Sequence, residues 1–167
     1  WVTQVNQGIE LMQMVDYDGA LVELMKANAI WAGSNVARFY IGKIYGDYAV
    51  YDSARYFLRQ VVDMGTADSA NIDNYETAVA DVAALYTMEQ IWDSSVVWHK
   101  RLGELHPGDP DALFGLAEAY AELGHEDSAF AIYDNILADP ARMNSLDLFN
   151  AGGRLFNADE FNRAAQA

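Results

Sequence analysis

The sequence predicts an all-α fold, a solenoid of antiparallel helix hairpins with about four and a half repeats along 167 residues. Three observations predict it. Small and aromatic residues recur every 34 positions, apolar residues inside each stretch recur at three and four rather than alternating, and glycine, proline and aspartate fall between the stretches.

The first repeat, about residues 1–34, sets the pattern with Gly8, Leu11, Tyr17, Ala20 and Ala27. Its apolar spacing predicts helices over 2–14 and 17–30, with Val15-Asp16-Tyr17-Asp18-Gly19 supplying the turn and the caps between them. The second, about 35–68, fills the same slots with Gly42, Tyr45, Tyr51, Ala54 and Val61, which predicts helices over 35–48 and 51–64. An insertion at about 69–75 precedes the third repeat, about 76–109, where Ala83, Tyr86, Trp92, Ser95 and Leu102 predict helices over 74–88 and 91–105. His106-Pro107-Gly108-Asp109-Pro110 stops that pair and starts the next, because proline ends one helix and opens another. The fourth repeat, about 110–144, carries Ala117, Tyr120, Ala129 and Ile136 on helices over 110–123 and 126–138, divided at Leu123-Gly124-His125-Glu126-Asp127. Gly152, Leu155, Phe161 and Ala164 mark an incomplete last repeat, about 145–167, with helices over 144–157 and from 160 onward. No segment reads as a strand.

Packing explains the slots. Glycine or alanine in the first helix of a pair lets the second approach closely, and an alanine such as Ala20 or Ala129 answers it across the contact. Tyr45, Tyr86 and Tyr120 then fill the space between successive pairs, burying on the order of 150–250 Å² each.

Taken together these residues resemble the tetratricopeptide repeat family, whose pattern runs W-x-x-L-G-x-x-Y, then Ala, Phe, Ala and Pro. The fullest local match is LFGLAEAYAELGHEDSAFAIYDNILADP, from Leu113 to Pro140, and the resemblance extends over nearly the whole chain. The sequence departs from the pattern at the Trp slot, which holds Gln4, Arg38, Val79, Leu113 and Leu148. The late aromatic slot of the third repeat holds His99, and Pro140 arrives one residue early. The resemblance implies a right-handed superhelix in which the first helices of successive repeats line a concave, peptide-binding surface. Projected onto this sequence, that lining comprises Val5, Ile9 and Met12, then Phe39, Lys43 and Asp47, then Ala80, Ala84 and Met88. Phe114, Glu118, Glu122, Phe149, Gly153 and Asn157 continue it, with Phe39, Phe114 and Phe149 as expected anchors. The family's clamp for acidic chaperone tails is not expected, since Val5, Ile9, Tyr40, Thr77 and Asp81 occupy its slots and cannot grip a carboxylate.

Composition narrows the partner. An apolar fraction of 52% excludes a disordered chain, and the formal net charge of −15 disfavours nucleic acid and anionic membrane, whose binding needs clustered cations. Residues 76–167 hold 16 acids and 5 bases against 9 and 5 in residues 1–75. The expected partner is therefore another protein, through a segment that is apolar or basic; the alternative is a structural segment of a larger repeat array or envelope assembly that self-associates through its ends, and a hydrolase or metalloenzyme is a distant third. No cysteine is present, so disulfides and thiolate metal sites are excluded and no redox compartment is indicated. No apolar run reaches the roughly 18 residues of a membrane span. A start at Trp1 rather than methionine leads us to expect a processed chain or a piece of a longer one.

Catalytic and metal readings find little support. Asp16-Tyr17-Asp18-Gly19 opens like a calcium loop but lacks the further oxygen ligands and the closing glutamate, so its aspartates are expected as helix caps. His99, His106 and His125 have no i, i+4 pairing and no cysteine partners, and are expected to be structural or solvated. No nucleophile with an oriented base stands out, and no enzyme activity, cofactor or metal is expected.

Overall fold

The computed structural model describes residues 1–33, 35–65, 72–138, 145–146, 148–149 and 151–153. Among these, eight helices run in the order α1 (Val2–Gln13), α2 (Tyr17–Ile30), α3 (Asn35–Asp47), α4 (Tyr51–Met64), α5 (Ile72–Met88), α6 (Trp92–Leu105), α7 (Pro110–Glu122) and α8 (Glu126–Ala138). No strand occurs among the described residues. Residues 145–146, 148–149 and 151–153 are also helical; the predicted helix from 160 onward and positions 69–71 of the insertion lie outside the described residues, while 72–75 of the insertion belong to α5. The chain divides into two compact units, Trp1–Leu85 and Tyr86–Ala167.

Each hairpin is closed by the same turn. After α1 the Val15 N–H donates to the Met12 carbonyl at 2.9 Å and the Asp16 N–H to the Leu11 carbonyl at 2.9 Å, the paired bonds of a Schellman cap. Ala49 and Val50 repeat this onto Gly46 and Tyr45, Gln90 and Ile91 onto Thr87 and Tyr86, and Gly124 and His125 onto Ala121 and Tyr120. The turn needs a left-handed residue, and φ is 63° at Val15, 56° at Ala49, 58° at Gln90 and 77° at Gly124. Among the four described hairpins only the fourth uses the glycine that adopts this conformation without a Cβ clash. Asp16 completes the first turn by accepting from the Gly19 N–H at 3.0 Å, the capping role read from the sequence.

In the N-terminal unit, close approach within the hairpins rests on Gly8 and Gly42. A Cβ on either would lie 2.6 Å from the Cγ of Leu24 or Leu58 respectively, too near for any atom. Around these contacts Ala20, Leu24, Ile41 and Ile44 form a buried cluster against which Tyr17, Tyr45 and Phe57 pack. Val5, Ala27 and Ala37 form a second cluster. The C-terminal unit builds its core from Ala117, Ala129, Tyr133, Ile136 and Ala151.

One face differs between repeats. Ala37, Ile41 and Ile44 of α3, and Ala78, Val82 and Leu85 of α5, are buried on the side that faces the preceding hairpin's slot. The equivalent α1 positions, 34 residues before those of α3, are Thr3, Gln7 and Glu10, all exposed. These slots carry hydroxyl, amide and carboxylate groups in α1 where α3 and α5 carry aliphatic ones.

Candidate functional site

In the N-terminal unit an ion pair joins the first helices of two successive hairpins. Lys43 of α3 donates from Nζ to Oδ1 of Asp81 on α5 at 3.1 Å, with Oδ2 at 3.0 Å. Both side chains keep partial access to water, so the pair orients more than it stabilises, contributing at most about 1 kcal/mol. Ile9 and Met12 on α1 are half-buried, and Asp47 and Ala84 are exposed. Ile9 packs against the Val5, Ala27 and Ala37 cluster and Met12 against that of Ala20, Leu24, Ile41 and Ile44, and each keeps part of its surface open to water.

Two of the projected residues belong to the interior. Val5 sits in the cluster with Ala27 and Ala37. Phe39 is buried and packs edge-on against Tyr40 with ring centroids 5.3 Å apart. Slot projection assigned both to the surface because it follows the helix period alone, whereas their burial comes from packing partners brought in by tertiary structure. In the C-terminal unit Met88 is exposed at the end of α5, Phe114 is half-buried with its ring 6.3 Å from Tyr133, Glu118 is half-buried and Glu122 exposed. Phe149 is exposed, and Asn157 lies outside the described residues.

A polar cluster that sequence reasoning did not single out occupies the contact between α5, α6 and α7 in the C-terminal unit. Thr87 Oγ1 lies 2.7 Å from Ser95 Oγ and 3.0 Å from His99 Nε2. Ser95 and His99 are buried, and His99 Nδ1 has no hydrogen-bond partner. Burial pushes the imidazole down to about 4, against a smaller opposing pull from the Asp109 carboxylate. Gly115 of α7 lies flat on the ring, since a Cβ there would be 2.1 Å from His99 Cε1. A serine and a histidine bonded to one threonine hydroxyl invite a nucleophile–base reading, but a fully buried Ser95 offers no substrate an approach. The signal was present in the repeat: Ser95 stands where the other hairpins have Ala20, Ala54 and Ala129, and His99 where they have Leu24, Leu58 and Tyr133. Among the described residues no three His, Asp or Glu side chains converge on a metal position, and no helix is long and apolar enough to cross a membrane.

No protein-family model and no curated protein matches the sequence. Solved structures do match. A MamA double mutant, designated RS-1 ArsTM, superposes with a TM-score of 0.78 at 14% identity over 98% of this chain and 88% of that one. YrrB, described as a TPR protein with an unusual peptide-binding site, gives 0.74 at 18% identity over 94% and 76%. A further MamA crystal structure gives 0.67 at 20% identity over 78% and 72%.

Proposed function

From a tetratricopeptide-type repeat fold as the premise, we propose that this chain is a protein-interaction scaffold that takes an apolar or basic peptide segment on the first-helix face of its N-terminal unit. The observation behind the reading is the Lys43–Asp81 bridge, which joins the first helices α3 and α5 of successive hairpins. Ile9 and Met12 supply apolar contact there, and Asp47 supplies a carboxylate for a lysine or arginine of the peptide. The description of YrrB as a peptide-binding TPR protein supports a peptide as the ligand. Phe114, Glu118 and Glu122 offer a comparable apolar and acidic combination within the C-terminal unit. A single site of this size binds at about micromolar strength, about −8 kcal/mol.

Peptides selected from a display library test the assignment. Ile9→Ser with Met12→Ser is expected to abolish their binding while leaving the helical circular dichroism unchanged, and unchanged binding refutes the site. Phe39 is omitted from the variant because it is a core residue.

A further inference from the structure

A second surface lies at the turns of the first two hairpins. Met14 is 74% exposed, Val15 70%, and Tyr48 and Val50 43% each, four apolar or aromatic side chains on two successive turns. The turns are fastened to each other: the Tyr48 hydroxyl donates to Asp18 Oδ1 at 2.9 Å, and its ring meets Tyr17 edge-on with centroids 5.9 Å apart. Residues 13–19 and 46–53 include Asp16, Asp18, Asp47 and Asp52 and no lysine or arginine. All four aspartates are exposed; Asp52 pairs with Arg55 one turn along α4.

Val15 is the informative residue. A β-branched side chain at φ 63° clashes with its own backbone, and the same turn is made by Gly124 in the fourth hairpin, so the fold does not require a side chain there. Nor does packing offset the strain, because the Val15 side chain projects into water. Ala49 and Gln90 hold the same conformation at their turns, so what sets the first turn apart is the large apolar side chain that it exposes.

We propose that this turn edge, which meets the first-helix face at Asp47, is a docking surface for a segment of another protein that presents large apolar side chains flanked by lysine or arginine. Charge selects that occupant. A second copy of this chain would bring its own acidic edge against the four aspartates, and an anionic membrane would be repelled by them. An apolar segment without cations would desolvate part of this negative charge and bring nothing to offset it.

The test uses short fluorescein-labelled peptides in which leucine or phenylalanine alternates with lysine, and a matched set with glutamate for lysine, read by anisotropy against the full chain. The basic set is expected to bind and the acidic set not. Met14→Gln/Val15→Gly/Val50→Thr is expected to weaken the basic set by about tenfold or more, and Ile9→Ser/Met12→Ser to leave a turn-edge component. Val15→Gly alone is expected to melt no lower than the parent, which separates loss of contact from loss of fold. The proposal is overturned if the triple variant binds the basic peptides as the parent does, or if the acidic set binds equally. Dimerisation of the parent that the triple variant loses, or parent binding to zwitterionic vesicles that the variant loses, also overturns it.

Discussion

Protonation of His99 is expected to unlock the contact between α6 and α7, and its replacement by leucine to remove that sensitivity. The ring is buried between Thr87, Ser95 and Gly115, with one nitrogen bonded to a hydroxyl and the other without a partner, so a charged imidazole has poor solvation there. Burial lowers its value from 6.5 in the unfolded chain to about 4 in the folded one, although Asp109 pulls the other way. Above pH 6.5 the ring is neutral in both states and the histidine imposes no penalty. As the pH falls below 6.5 the unfolded chain takes up a proton that the folded chain refuses, and stability drops by about 1.4 kcal/mol per pH unit until the folded form also protonates near pH 4. The full window is worth about 3 kcal/mol, a large share of the stability of a small domain. Carboxylates titrate over part of the same range, so the parent is compared with His99→Leu, leucine being the residue of the equivalent slots in the first two hairpins. Urea denaturation from about pH 7.5 down to about pH 4.5 is expected to show the two proteins within about 1 kcal/mol at the neutral end. The leucine variant is then expected to gain steadily on the parent toward the acid end. A difference that stays constant with pH refutes the buried, neutral histidine.

Other substitutions probe the packing and the turns. Gly115→Ala is expected to lose about 2 kcal/mol by chemical denaturation, because the clash with the His99 ring exceeds the roughly 1 kcal/mol of helix propensity that alanine gains; a stabilised variant contradicts that contact. Tyr86→Ala is expected to cost about 3 kcal/mol, since the ring is buried and stacks with Trp98 at 6.4 Å, and a loss below about 0.5 kcal/mol contradicts its burial. Val15→Gly is expected to raise stability by about 1 kcal/mol through relief of the left-handed strain, and a clear loss on thermal melting refutes the strain.

Much of the helical framework was legible because its signals are local. The bounds read for α4 and α8 coincide with Tyr51–Met64 and Glu126–Ala138, where apolar period and turn chemistry agree. α5 begins at Ile72, two residues before the predicted start, with Asp73 in its first turn favoured by the helix dipole. The left-handed turn residues were hidden by Val15, Ala49 and Gln90, whose side chains disguise a glycine position; only Gly124 betrays it. Burial of Val5 and Phe39 and the Thr87–Ser95–His99 cluster depend on side chains that meet across helices, and no single-helix period reports such meetings. The Lys43–Asp81 bridge was likewise beyond the sequence, although both residues had been placed on first helices.

The most direct test of the account is a heteronuclear NMR titration of the isotope-labelled chain with a selected apolar and basic peptide. Saturable shift changes at the amides of Ile9, Met12, Lys43, Asp47 and Ala84 are the predicted result. Changes confined to the second helices, at residues such as Val22 and Tyr56 on α2 and α4, would contradict a peptide-binding first-helix face.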